Sequence, residues 1–342
     1  MRSLHWTAGL LALTLTACGS QLTPYKIAPA PTTNKTAVEV QTVITQTDIE
    51  AIVPVVDSSG AVASYGLVGA LVGAAIDSST NSSNQDMYQR LMTPVQNSVI
   101  DYKFDQKFEQ MIQSTVSTLP GLTPVGFKLV KEKQDKPTFS QPTLHIETSY
   151  RLSTDMRSLD VDVWVSLMPA TQPKAKEEAK PLYQNRFTYR SPLLADPVKT
   201  PADVAAIKKE VWAQFDALPE KQKKNPKEVS KRNRALAKAE LSFTPERKLE
   251  VLSQIWAANK GELIRKELDT AMQDLAVLIQ TDFADQQAPA SLFTKPVVKN
   301  NGVEQTYEIV TQRENRILVR TVRGWTTGTM CSLPQNDVRN CD

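Results

Sequence analysis

Two stretches of strict alternation constrain the fold of this chain more than any other feature. In Leu144–Leu152, residues Leu144, Ile146, Thr148, Tyr150 and Leu152 share one side. In Leu159–Leu167, residues Leu159, Val161, Val163, Val165 and Leu167 do the same. A period of two belongs to an extended strand, because successive side chains leave opposite faces of a pleated backbone. Thr154-Asp155-Met156-Arg157 lies between the two runs and supplies turn residues. A third run, Leu182–Tyr189, follows a polar loop at 171–180. Together they predict a three-stranded antiparallel meander with one buried face.

Helical periodicity surrounds this sheet. Met87, Leu91, Val95, Val99, Tyr102, Phe108, Met111, Ile112 and Val116 recur every three to four residues from Asp86 to about Thr118. Pro94 is expected to kink that helix or to begin a second segment. Val204, Ile207, Val211, Phe215 and Leu218 form the stripe of a helix starting near Thr200. Pro245 to Phe283 carries Leu249, Leu252, Ile255, Trp256, Leu263, Ile264, Leu268, Met272, Leu275, Leu278 and Ile279, with Gly261 placed to divide it. Shorter apolar runs at 38–45, 48–56 and 125–130 predict further strands, and 303–310 with 316–322 a terminal hairpin. The expected class is α+β: an antiparallel β-meander packed against amphipathic helices, with a C-terminal hairpin and a disulfide loop.

The start of the chain has a different purpose. Arg2 precedes the apolar run Gly9–Leu15, which is too short to span a bilayer. The run closes on Leu15-Thr16-Ala17-Cys18, two small residues before a cysteine. This resembles the lipobox of bacterial lipoproteins. The resemblance implies cleavage before Cys18, a diacylglyceryl thioether on Cys18 and acylation of the new amino terminus. Several acyl chains hold a protein stably where one is reversible. Gly19, rather than Asp, follows the cysteine, which implies the outer membrane, on its periplasmic side. More loosely, the chain is similar to uncharacterised envelope lipoproteins. The likeness rests on Gly66-Leu67-Val68-Gly69-Ala70-Leu71-Val72-Gly73, on Leu182-Tyr183-Gln184-Asn185-Arg186-Phe187, and on the helix from Trp256 to Leu278.

With Cys18 acylated, only Cys331 and Cys341 remain, flanking Pro334 and Asn336-Asp337. An oxidising periplasm predicts a disulfide between them, stabilising by about 2–3 kcal/mol in the loop-entropy account. The expected organisation is a signal peptide at 1–17, a Pro/Thr-rich tether at 18–36, a domain at 37–325 and a disulfide tail at 326–342. Residues 58–76 are uncharged and rich in Gly and Ala, with small residues four apart. They suit either a membrane-contacting helix or, as favoured here, a small-residue segment packed on its own domain, since their length and composition fall short of a span.

Catalytic chemistry finds no footing. After removal of the signal, His145 is the only histidine, in mid-strand and out of phase with Leu144 and Ile146, so it is expected to face solvent. No Gly-x-Ser-x-Gly elbow or Gly-rich phosphate loop accompanies it. One histidine and two distal cysteines make no zinc site, and no cofactor or metal is implied. Asp160 and Asp162, two apart on a polar strand face, are expected to be its solvated side. The net charge of +3 gives nucleic-acid binding no support. One charge run stands out, at 219–240. There Lys221, Lys223, Lys224, Lys227, Lys231, Arg232, Arg234 and Lys238 accompany Glu220, Glu228 and Glu240. These cations are candidates for an anionic-surface contact, although a plain solvated helix face accounts for them as well and is preferred. The expected function is that of a non-enzymatic, outer-membrane-anchored lipoprotein in envelope interaction or assembly, with a membrane and an envelope protein or lipid as partners. The alternative is a periplasmic lipid- or amphiphile-binding auxiliary of a transport system.

Overall fold

The computed structural model describes residues 35–55, 66–132, 137–170, 180–284, 292–295, 304–313, 315–323, 328–337, 339 and 341. Cys18, the tether up to residue 34, residues 58–65 of the Gly/Ala segment and most of the loop at 171–180 lie outside them. In chain order the elements are β1 (Thr36–Val43), β2 (Glu50–Ala51), α1 (Gly66–Ser98), α2 (Phe104–Val116), β3 (Leu122–Val130), β4 (Thr143–Leu152), β5 (Leu159–Met168) and β6 (Tyr183–Arg190). There follow α3 (Pro201–Asp216), α4 (Glu220–Lys223), α5 (Pro226–Ala239), α6 (Pro245–Phe283), β7 (Leu292–Lys295), β8 (Gln305–Arg313), β9 (Arg316–Arg323) and β10 (Met330–Pro334). The described residues are mixed α/β, with six helices and one mostly antiparallel ten-stranded sheet.

Alternation sets the local pairing. β4 and β5 are antiparallel from Thr143↔Met168 to Leu152↔Leu159, and β6 continues from Leu167↔Tyr183 to Asp160↔Arg190. The turn between β4 and β5 closes through Ser153 N–H to Ser158 O at 2.9 Å, with Met156 at φ 54°. What alternation does not foretell is strand order, which runs β3-β1-β4-β5-β6-β10-β9-β8-β7, with β2 beside β4. β1 is parallel to both neighbours, so the chain must cross over before returning as β3, and α1 and α2 are that crossover. β10 lies inside the stretch expected to be a tail, yet it enters the sheet parallel to β6 and antiparallel to β9.

α1 departs from its expected limits. The helix starts not at Asp86 but at Gly66, and so takes in the Ser/Thr/Asn stretch at 78–84. Propensities of a few tenths of a kcal/mol per residue yield to a long helix whose later turns are packed, here through Tyr88, Leu91, Met92 and Val95. Pro94 neither ends the helix nor starts a new one. Pro94 and Arg90 are both exposed, so water reaches the Arg90 carbonyl that a proline cannot serve. The break comes instead at Ser98. No helix among the described residues is long and apolar enough to cross a membrane.

α6 is two helices in one. Ala258 leaves helical geometry, then Asn259, Lys260 and Gly261 take left-handed values of φ 52°, 58° and 68°. The second part, from Gly261, lies beside α2 on one face of the sheet. Its Ile264, Leu268, Ala271, Leu275, Leu278 and Ile279 meet Val161, Val163, Val165, Phe187 and Met330 in one core. Trp256, fully buried in the first part, donates Nε1–H to Met156 O at 2.7 Å and ties the helix to the β4–β5 turn.

The opposite face of the β8–β10 region holds a second, smaller cluster of Tyr307, Ile317, Val319, Cys331, Leu333 and Cys341. The Cys331–Cys341 disulfide, with Cα atoms 5.9 Å apart, pins the end of the chain against it. Beside it Lys295 is buried, donating from Nζ to Arg339 O at 3.1 Å. Burial lowers its pKa from the ordinary 10.5 to about 8, against the pull of Asp337. Between those two values the unfolded chain holds the proton and the folded chain does not. Stability therefore rises with pH from about 8 upward, and the penalty is fully present below 8. Urea midpoints should climb between pH 7.5 and 9.5 in the native chain and stay flat in Lys295→Met. Parallel slopes in the two proteins would remove Lys295 as the cause.

Candidate functional site

The basic run at 219–240 folds as one arm of a helical hairpin. Its other arm, α3, begins at a complete capping box. Thr200 Oγ1 accepts from Asp203 N–H at 3.2 Å, while Asp203 Oδ2 accepts from Thr200 N–H at 2.8 Å, with Pro201 in the first turn. α5 starts likewise, with Asn225 Oδ1 accepting from Lys227 N–H at 2.9 Å and Pro226 at its first position. Pro219 and the short α4 turn the chain between the arms. At the base, Lys199 Nζ donates to Ala239 O at 3.2 Å, and Lys208 pairs with Glu240.

The hairpin stands off the core. No residue of α3 is fully buried, and Ala239 is the only one in α5. The two arms pack on each other through Val204, Ile207, Val211 and Phe215 facing Val229, Arg232 and Leu236, all half-buried. Arg232 turns inward. Its guanidinium lies 4.5 Å from the Trp212 ring and 4.5 Å from the Phe215 ring, a cation held over two aromatic faces. That removes Arg232 from any outward-facing set. The spacing of Trp212, Phe215 and Arg232 gave no sign of this in the sequence, because the contact joins two helices.

The other candidate cations divide. Lys223 pairs with Glu220 at 2.9 Å, a surface contact worth little. Lys221 is exposed on α4. Lys227, Lys231, Arg234 and Lys238 are all exposed and fall at intervals of four, three and four along α5. At 100° per residue they make one narrow stripe about 16 Å long, on the side of α5 turned away from α3. Among the described residues, no acidic side chain pairs with these four. Lys224 and Arg234 also line an open concavity of about 600 Å³ along the flank of α5, with Val229, Ser230 and Asn233 in its wall. The segment carries eight basic and three acidic residues, a surplus of five against a whole-chain surplus of three, so the rest of the chain is net acidic.

The polar face of β4–β6 is less solvated than expected. Asp162 is buried. Its Oδ1 accepts from Arg186 Nε at 3.0 Å, Arg186 Nη2 at 2.8 Å and Thr188 Oγ1 at 2.7 Å, and Arg151 lies 3.7 Å from Oδ2. Burial raises the pKa of Asp160, opposed by Arg190 and Arg339. These carboxylates are partners of arginines and do not form a free acid–base pair. His145 is largely covered as well, held between Gln41 Oε1 at 2.8 Å and Glu147 Oε1 at 3.0 Å, with Phe139 edge-on. No group of three metal-ligating side chains comes together among the described residues.

A row of buried acids went unseen in the sequence. Glu267, Asp274 and Asp282 share the sheet-facing side of α6. Tyr189 donates to Glu267 at 2.6 Å. Arg316 and Ser332 donate to Asp274 at 2.9 and 2.5 Å, and Asn185 to Asp282 at 3.0 Å, where Tyr183 also donates. Burial, together with the charge of Glu267, raises the Tyr189 phenol well above its ordinary value despite Arg316 above the ring. These contacts bind helix to sheet. Comparison of the chain with known protein families, curated proteins and solved structures gives no match.

Proposed function

We propose that this chain is a bacterial lipoprotein, held through lipid on Cys18 at the periplasmic side of the outer membrane. Its domain acts by binding an envelope partner or supporting an envelope assembly, not by catalysis. The β4–β5–β6 meander with amphipathic α2 and α6 packed on it is the rigid support, and the α3–α5 hairpin is the contact surface. The hairpin carries this reading: two ordered, capped helices contribute almost nothing to the core, yet concentrate the chain's excess positive charge. Structure maintained outside a core, with a charge stripe unpaired among the described residues, is what an interaction surface requires. The alternative, an amphiphile-binding auxiliary of a transport system, finds less support. The interface where its groove would lie is filled by Ile112, Val161, Val163, Ile264 and Leu275, all fully buried.

The experiment is labelling with radioactive palmitate followed by membrane fractionation and crosslinking. Native chain should carry label, sediment with outer membranes and crosslink to a defined envelope protein. Cys18→Ala should lose the label and leave the outer-membrane fraction. Label persisting in Cys18→Ala would overturn the anchor. A bound lipid seen by native mass spectrometry, with no protein crosslink, would favour the alternative.

A further inference from the structure

We infer that the α5 stripe docks on an anionic phospholipid surface in trans, on a bilayer other than the one holding Cys18. This rests on the lipid-anchor reading above and adds the occupant and the geometry. The tether joins the domain at β1, whose start lies at the sheet end marked by Thr143, Met168 and Tyr183, because Glu39 pairs with Thr143. The hairpin is rooted at the other end. The chain leaves β6 at Arg190, runs beside the β4–β5 turn through Leu194 N–H to Arg157 O at 2.8 Å, and then enters α3. The return from α5 is fastened there too, by Lys248 to Asp196 at 2.6 Å and by Trp256 to Met156.

The ten residues of β4 span about 33 Å between these ends. Residues 19–35 number 17, a length that reaches about 58 Å at full extension. Turned on its own membrane, the hairpin would take up more than half of that reach, about 33 of 58 Å, in running back past the sheet, whereas a second surface facing the far end needs none of it. The occupant follows from charge and shape. Lys227, Lys231, Arg234 and Lys238 form a straight, exposed stripe with no acidic partners among the described residues, and Lys224, Arg234, Ser230 and Asn233 line the open, shallow concavity on its flank. A row of cations on a convex arm fits a flat field of phosphates, each charge adding to the attraction. α5 does not need to insert, because its apolar side is already spent on α3.

The test reconstitutes the full lipidated protein in neutral donor vesicles and offers labelled acceptor vesicles of phosphatidylethanolamine and phosphatidylglycerol, 3:1, or of phosphatidylcholine alone. Capture is read by two-colour coincidence. Capture of anionic acceptors only is expected, falling about fivefold for each stripe charge removed and several-hundred-fold in the combined Lys227→Gln, Lys231→Gln, Arg234→Gln, Lys238→Gln variant. Raising salt to about 1 M should release native protein from acceptors with no substitution at all. Equal capture of neutral acceptors, undiminished capture by the folded variant, or no capture despite firm donor attachment would each overturn the inference. So would binding of an acidic protein through the stripe without vesicle capture. Failure of native protein to float with donor vesicles would instead strike the anchor reading, a separate result.

Discussion

Replacing Asp274 with alanine is expected to destabilise the fold by about 3–5 kcal/mol. The carboxylate is fully buried in α6 and answers three strands at once. Arg313 Nη1 donates to it from β8 at 2.5 Å, Arg316 Nε from β9 at 2.9 Å and Ser332 Oγ from β10 at 2.5 Å. Without Asp274, the Arg316 guanidinium remains inside with its charge uncompensated. It keeps bonds to Arg190 O and Ser332 O and its place over the Tyr189 ring, but none of these carries a full negative charge. Removing one member of a buried pair costs more than the pair contributes, because the survivor's desolvation is no longer offset. Asp274→Leu combined with Arg316→Met should therefore recover much of the loss. Urea midpoints for the single and double variants decide it. A loss under about 1 kcal/mol for Asp274→Ala, the size expected for the exposed Arg247–Glu250 pair, would show that water enters the site.

The same residues show where sequence reasoning stops. β4, β5 and β6 were legible because side-chain period is a local property, and their observed limits lie within a residue of the alternating runs. The break near Gly261 was legible for the same reason. Strand order was not. That β1 lies between β3 and β4, and that β10 joins β6, depends on pairings such as Thr36↔Leu122, Glu39↔Thr143 and Met330↔Phe187, far longer than any window of sequence. Glu267, Asp274 and Asp282 were passed over because an acid on a helix is ordinarily solvated. Their spacing of seven and eight does place them on the apolar stripe beside Ile264, Leu268, Leu275 and Ile279. Helical phase alone could have flagged them, though their partners Tyr189, Arg316 and Asn185 could not have been named. In the hairpin, the surplus of charge was visible, but the withdrawal of Arg232 between Trp212 and Phe215 was not. The four-residue stripe emerges only once α5 has an inside, and α3 defines it.

Gly261→Ala should cost about 2–5 kcal/mol, a large effect for one methyl group, and for two separable reasons. Gly261 closes a run of three left-handed residues, and an L side chain there adds about 1–2 kcal/mol of backbone strain to that already held at Asn259 and Lys260. A Cβ would also lie 2.6 Å from Val99 Cγ1 and 2.8 Å from Ser98 Oγ, forcing α6 away from the end of α1, with an overpacking cost of about 1–3 kcal/mol. That joint is braced by Arg265, which donates to Lys260 O and Ser98 O at 2.9 Å each and pairs with Asp101 at 2.5 Å, so it has little room to give. The displacement would be felt at Trp256 on one side and Glu267 on the other. Gly126→Ala is the control, since nothing lies within 4 Å of its Cβ position, and its stability should change by no more than about 0.5 kcal/mol. Val99→Ala in the Gly261→Ala background separates the two causes. If it restores about half the loss, the clash is real and the remainder is backbone strain. If Gly261→Ala proves as mild as Gly126→Ala, the joint is loose, and α6 is then not held in register at this point.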